Sequence, residues 1–480
     1  MQNTQKYLFL DSGIINGHYC DNVKLHLQSV QKDTVNNPLF KEEFFANPPK
    51  KWEPRYDNGY PNVFYDKYAE LYRCYYTTFL VDYHSSETPL KERPGIQYEP
   101  HSSRVTGFCY AESKDGIHWE KPNLGLVEFD GNKDNNIILR NAHGSCVLLD
   151  EEEEDPNKRY KLLTKIDFSH EDHFMGVCFS SDGIHFSDPV PWPRFNPHAD
   201  TYNYFFRDPV TNRFVLITRI WKNGLRIAAK SESEDFIHWS EPTEIVRGMG
   251  FQSQVYTMPV FKYENLYLGI PSMYKEGDRS EDDFDTVDVK LTFSVDMRNW
   301  EYVSPDESFI TRGEGKYPTG EFDSGCIFAS VPVEIDDKLY FYYMGGNGQH
   351  TNFRETSFAR GYIEKDKFAY YAPNQENRQA TVTTDGFSIF GNNLSLLADL
   401  EDGGSVRYEF INRGTQEAIE GFTREDCEPI TGSGWTSMSF KGKDLTEVGN
   451  RPVGIRFIFE KAKLYALDGF INVLKRKYNS

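Results

Sequence analysis

The sequence predicts an all-β protein, a five-bladed β-propeller followed by a C-terminal β-sandwich, and three observations carry that prediction. The 480-residue chain holds 30 Tyr and 36 Phe with few long apolar runs, a composition that favours short strands over helices. One phrase returns along it: "YAESKDGIHW" at 110–119, "CFSSDGIHF" at 178–186, "KSESEDFIHW" at 230–239 and "TFSVDMRNW" at 292–300, with a weaker version, "ARGYIEKDKF", at 359–368. The aligned Asp115, Asp182, Asp235 and Asp296 lie 67, 53 and 61 residues apart, the length of a four-stranded blade with loop insertions. Ahead of each phrase, finally, stand a strand, a polar hairpin and a second strand.

Taken in order, residues 1–50 contain "NVKLHLQSVQKD" and a Pro-rich stretch, and read as an N-terminal segment packing on the propeller or the sandwich. The propeller spans 51–375. Its hairpins are "YDKYAELY" (65–72), "DEEEEDPNKRY" (150–160), "RDPVTNRF" (207–214), "KYENLY" (262–267) and "EIDDKLY" (334–340), each flanked by alternating apolar residues. Five hairpins imply five blades. Within each repeated phrase Ser and Asp side chains satisfy turn amides before an aromatic residue anchors the next strand, so the four aspartates read as structural. The acidic run Glu151 to Asp155 reads as a solvated hairpin tip. Short alternating strands such as "SVRYEF" and "VGIRFIFEKAKLYAL", with Gly and Asp turns, predict the sandwich over 376–470. Residues 471–480 form a tail, either a short basic helix or a frayed end.

A formal net charge of -20, with no basic run to offset it, argues against nucleic acid and anionic lipid as partners. The seven Cys are spread singly without a CxxC pair, which makes zinc ligation and a disulfide framework poor expectations and small core fillers the better one. No metal or other cofactor is expected. The start lacks a basic region followed by a continuous apolar core, and nothing later reaches transmembrane length, so the expected location is the cytoplasm. Self-association into a homo-oligomer stays open.

In a propeller the first strand of each blade runs along the central axis, and residues at its mouth face a common funnel. Here those strands begin "DNGYPNVFY", "HGSCVLL", "HADTYNYFF", "QVYTMPVF" and "GEFDSGCIFAS". Three of these heads carry carboxylates: Asp57, Asp200, and Glu321 with Asp323. Asp57 lies nine residues before the hairpin residue Asp66, and Asp200 eight before Asp208, so both stand near the same end of their strands. Clustered carboxylates are costly unless they share protons, pair with cations or meet a polar ligand, which marks them as candidate acid, base and nucleophile. Asn58, His143, His198, Asn203, Tyr256, Glu321 and His350 are candidate substrate-binding groups, and Trp52, Tyr60, Tyr202 and Tyr204 are aromatic residues able to stack on sugar rings. "GGNG" has no following helix to cradle a phosphate, and there is no GxSxG elbow.

At these residues the chain resembles the five-bladed propeller glycosidases of the glycoside hydrolase family 32 and 43 superfamily. More closely, "WEPRYDNGYPNVFYD", "YAESKDGIHWEKPNLGLVEFDG", "HADTYN", "EFDSGC", "GGNGQHT" and "EDCEPI" resemble a bacterial family 32-like group without a settled activity, over nearly the whole chain. The superfamily resemblance implies a catalytic Asp on the first strand, matched by Asp57, and a stabilising Asp, matched by Asp200. The literal "RDP" at Arg207 to Pro209 falls on a hairpin instead. The implied general-acid Glu falls on "TMP", where Thr257 replaces it, and His143 stands where the second blade would offer an Asp.

The function expected is glycoside hydrolysis of an oligosaccharide, a fructoside or another furanoside, through an oxocarbenium-like transition state. Asp57 is the expected base or nucleophile, Asp200 the charge stabiliser and Asp323 the acid, with Glu321 or a His as weaker choices. Two other readings compete: a carbohydrate-binding protein that kept the scaffold without its chemistry, and a glycoside phosphorylase, which would need Arg or Lys clustered in the funnel.

Overall fold

The computed structural model describes residues 4–169 and 171–474. Among the described residues, α-helix is confined to Tyr83–Glu87, and strands supply nearly all regular structure. Four sheets of four or five strands stand separately in a propeller-like arrangement. The first contains Asn62–Asp66, Leu71–Val81, Val105–Ser113 and Trp119–Glu120, with Ile137–Arg140 added on Val105–Ser113. The second runs Ala142–Leu149, Tyr160–Asp167, His173–Ser180, Val190–Pro191, and the third Tyr204–Arg207, Phe214–Lys222, Leu225–Ser233, Thr243–Arg247. The fourth is Val260–Tyr263, Leu266–Gly269, Thr292–Ser294 and Glu301–Tyr302.

Separate blades therefore number four, not the five expected. The fourth repeat is cut across by Pro259 and Pro271, which sit on neighbouring strands and have no N–H to give the ladder. Its upper half, Ser253–Thr257, Ser272–Lys275 and Val287–Val289, joins through the single pair Val287 and Cys326 to the strands of the fifth repeat, Cys326–Ala329, Lys338–Gly346 and Thr356–Glu364. With Val333–Ile335 and with Gln31–Lys32 and Phe40–Lys41 of the N-terminal segment, they make a nine-stranded sheet.

Hydrogen bonds link consecutive repeats near the axis. Val147 N–H donates to Asn62 Oδ1 at 2.7 Å, Asn203 N–H to the Gly144 carbonyl at 2.8 Å, and Thr201 Oγ1 to the Tyr256 carbonyl at 2.8 Å. The return contact, Val63 N–H to Ser330 Oγ at 3.4 Å, joins the fifth repeat to the first. The repeated phrase is a turn built as its sequence implies: Asp115 Oδ1 accepts the amides of Ile117 and His118, and Asp182, Asp235 and Asp296 each accept the equivalent pair.

The C-terminal region departs from the expected two-sheet sandwich. Its strands form one hydrogen-bonded seven-stranded sheet, because Phe387–Asn412 and Val453–Val473 are long enough to pair from Ser388 with Asn472 to Asn412 with Val453. Gln5–Leu8 and Val23–Leu27 of the N-terminal segment join that sheet, which covers an aromatic core of Phe387, Phe410, Phe457 and Phe459. Residues 471–473 thus belong to a strand and not to the expected tail, whose last residues, 475–480, lie outside the described part. All seven cysteines are free thiols, and every one but Cys20 is buried.

Candidate active site

The strand-head residues converge on an open cavity of about 480 Å³. Asp57 and Asp200 both line it, with Asn58, His143, His198, Tyr256 and His350. Two segments that are not themselves strands present the carboxylates.

Asp57 belongs to the turn "YDNGY", five residues ahead of the strand at Asn62. Asp57, Gly59 and Tyr60 all have positive φ, of 55°, 66° and 43°, so the chain turns sharply before it enters the sheet. Such strain in non-glycine residues costs energy and is held by its surroundings. A Cβ on Gly59 would stand 2.4 Å from Met344 Cγ, so the close approach also needs glycine. Arg354 Nη2 donates to Asp57 Oδ1 and to Asn58 Oδ1, each at 2.9 Å, and Arg55 Nε lies 3.3 Å from the same Asp57 oxygen. Burial pushes the Asp57 carboxyl upward, but Arg354, Arg55, His350 and Arg104 outweigh it, and the group stays well below the usual carboxylate range.

Asp200 sits on the turn between His198 and Asn203. Asn203 does not reach the cavity: its Nδ2 donates to the carbonyls of Ala199 and Thr201, and it thereby shapes the turn from beneath. The Arg219 guanidinium donates to the Asp200 backbone carbonyl and lies 3.7 Å from its carboxylate, while His143 Nδ1 is 3.2 Å away. Burial raises the Asp200 carboxyl and His143, Arg219 and Lys165 lower it further, leaving it below its ordinary value. Both acids are therefore ionised at neutral pH.

Tyr256, buried, receives a 3.2 Å hydrogen bond on its hydroxyl from Asn58 Nδ2, which also donates to Tyr60 at 2.7 Å. His350 packs edge-on against Tyr256 and Tyr274. Burial, then the nearby Arg354 charge, push its pKa down to about 3, so the ring is neutral under ordinary conditions. Tyr60 and Tyr202 stack on each other at 5.7 Å in the core, and Tyr204 is also buried, so these three are packing residues. Trp52 likewise points inward, its Nε1 donating to Asn136.

Contrary to expectation, Asp323 and Glu321 do not join the other carboxylates at the cavity. Asp323 is buried away from the cavity, with Lys32 Nζ at 2.7 Å and the Tyr343 hydroxyl donating at 2.9 Å. The N-terminal strand that brings Lys32 alongside had no sequence signal tying it to "EFDSGC". Glu321 is exposed and accepts the Glu314 amide at 2.9 Å, a loop-closing contact. Thr257 is buried against the Tyr202 carbonyl. Arg207 and Asp208 of the literal "RDP" are bound within the hairpin region, to Asp150 and to the Tyr267 hydroxyl.

What the strand-head argument missed is the positive charge. Arg55, Arg104 and Lys165 line the cavity, and Arg354 reaches Asp57 from behind. Arg55 had a signal in its position two residues before Asp57. The others come from a long loop after Val81, a mid-blade strand and the segment after "GGNGQHT", none of which a first-strand rule inspects. Phe168, well exposed on the rim, was missed for the same reason. Among the described residues no group of three or more His, Cys, Asp or Glu has the closeness to hold a metal ion.

No protein-family model matches the chain, and no curated protein matches it. Solved structures do match. An N-acetylgalactosamine deacetylase from F. plautii, in complex with blood group B trisaccharide, aligns at 13% identity over 72% of this chain and 96% of its own, with a TM-score of 0.47. A second comes from work describing glycoside hydrolases within the GH130 family of mannoside phosphorylases, targeting β-1,2 mannosidic linkages in Candida mannan; it aligns at 14% over 71% of this chain and 95% of its own, TM-score 0.47. A glycosyl hydrolase from Bacteroides ovatus aligns at 12% over 71% and 95%, TM-score 0.47.

Proposed function

We propose that the protein cleaves a glycosidic bond in an oligosaccharide, with furanosides such as fructosides the first class to test. The observation that carries this reading is the meeting of two ionised carboxylates, 143 residues apart in the chain, in one open polar cavity. Cleavage through an oxocarbenium-like transition state needs negative charge beside the anomeric carbon and a group to protonate the leaving oxygen. Asp57, clamped by two guanidiniums, is too acidic to be an efficient base near neutral pH, so its part is to attack or stabilise that carbon. Asp200 and His143 form the proton-handling pair: the carboxylate lies 3.2 Å from Nδ1, and Nε2 is the nitrogen to exchange a proton with the leaving oxygen. Asp323 has no part in this scheme. Phe168 on the rim supplies an apolar face for a sugar ring.

A panel of fructosides, arabinosides, galactosides and uronic acid oligosaccharides, assayed for new reducing ends, tests the reading. Asp57→Asn and Asp200→Asn should each lower turnover by about 10²-fold or more while the circular dichroism spectrum is unchanged. Binding without turnover across the panel would overturn it in favour of a non-catalytic carbohydrate-binding protein, and turnover indifferent to both substitutions would remove the two carboxylates from the chemistry. Phosphorolysis is the second reading, and the observation favouring it is the presence of Arg55, Arg104 and Lys165 in the cavity wall. Turnover that requires inorganic phosphate would select it.

A further inference from the structure

We propose that the corner of the cavity formed by Arg104 and Arg55 around Tyr98 is a subsite for an oxyanion carried by the substrate or co-substrate. Arg104 comes from the loop joining Leu71–Val81 to Val105–Ser113 and lies over the Phe79 ring at 4.5 Å, its Nη1 3.5 Å from the Tyr98 hydroxyl. Among the described residues it has no carboxylate at ion-pair distance, although it faces the cavity. The Arg55 guanidinium is stacked over the ring of the same tyrosine, 4.0 Å from its centroid. Arg55 is almost wholly buried, and its Nη1 has no hydrogen-bond partner. Two guanidiniums held on one tyrosine and lining one cavity, one with a nitrogen lacking a hydrogen-bond partner and the other without a carboxylate, are an arrangement that a planar or tetrahedral oxyanion completes with charge-assisted hydrogen bonds.

The surrounding charge points the same way. Arg55, Arg104 and Lys165 line the cavity, and Arg219 and Arg354 approach its carboxylates from behind. Three carboxylates, Asp57, Asp167 and Asp200, share that lining with the three cations, and Lys165 is paired with Asp167 at 3.1 Å. Asp82, behind Tyr98, is already engaged by the Tyr98 hydroxyl and the Ser85 amide. A chain of net charge -20 thus holds as many cations as carboxylates in this cavity wall, so an anion meets less repulsion there than over the rest of the surface. Two sources offer that chemistry: the carboxylate of a uronic acid residue in the saccharide, and free inorganic phosphate. The subsite rests on the cleavage reading for its biological use, but anion binding is measurable without turnover.

Titration calorimetry with galacturonate, inorganic phosphate and, as the neutral control, galactose is the test. The folded protein should bind at least one anion more tightly than galactose, with affinity falling as salt is raised. Arg104→Gln should weaken anion binding by about 10- to 100-fold, the loss of one charge-assisted bond, and Arg104→Lys should recover part of it. Asp57→Asn should retain anion binding even where it abolishes turnover, so anion binding with no turnover on any glycoside would sink the cleavage reading and keep the subsite. Binding of neither anion, or binding unchanged in Arg104→Gln, would remove the subsite. Phosphate-dependent cleavage of a neutral oligosaccharide would assign it to phosphate, and phosphate-independent cleavage of a uronide to the sugar carboxylate.

Discussion

Gly144 stands next to His143 and under the turn that carries Asp200, and Gly144→Ala is the most exacting test of how this site is held. Its φ is 59°, and a Cβ built there would lie 1.6 Å from the Thr201 carbonyl oxygen and 2.8 Å from the Thr201 carbonyl carbon. Both are backbone atoms, which no rotamer change can move aside. Left-handed backbone costs an L-residue about 1–2 kcal/mol, and overpacking a filled site adds about 1–3 kcal/mol, so a loss of roughly 2–5 kcal/mol in unfolding free energy is expected. Relief comes from shifting the 199–203 turn, and Asp200 with it. A carboxylate displaced by about 1 Å can lose about 10²-fold in rate. Equilibrium denaturation in guanidinium gives the first quantity, and turnover per folded molecule the second. An unchanged denaturation midpoint would show that the turn does not rest on Gly144, and an unchanged rate with the midpoint lowered would remove Asp200 from the chemistry.

Three further outcomes follow from the same geometry. Because the folded-state pKa of Asp57 is depressed, its contribution to stability is fully present above the unfolded carboxylate value and is lost as pH falls through the folded one. Arg354→Gln removes the principal cause of that depression, so acid unfolding should begin at higher pH, and stability at pH 7 should drop by about 3–5 kcal/mol; superimposable acid-unfolding curves would refute the pairing. Asp323→Ala should cost a similar amount, about 3–5 kcal/mol, by leaving Lys32 unpaired, yet leave turnover per folded molecule unchanged, and a selective loss of turnover would restore Asp323 as the acid. Phe168→Ala should raise KM by about two- to tenfold with kcat preserved, consistent with a stacking contact worth about 0.5–1.5 kcal/mol, whereas an unaltered KM would place the sugar elsewhere.

The sequence by itself determined what local chemistry determines. The Ser–x–Asp turns, the hairpin tips and the alternation of apolar residues are short-range, so Asp115, Asp182, Asp235 and Asp296 could be read as turn acceptors from their neighbours alone. The strand-head argument also brought Asp57 and Asp200 to one cavity, since a repeat of known period places equivalent residues at equivalent heights. The tertiary structure decided everything that depends on pairing between distant segments. Whether the upper half of the fourth repeat stays with its own blade or joins the next depends on ladder bonds that two prolines withhold, and whether a carboxylate is a reactant or a strut depends on which cation arrives. Asp323 meets Lys32 from the other end of the chain, 291 residues away, and Asp57 meets Arg354 across 297. Coulombic partners act through space and carry no periodicity, which is why Asp57 and Asp200 were legible in the sequence and distant cations such as Arg354 and Arg219 were not.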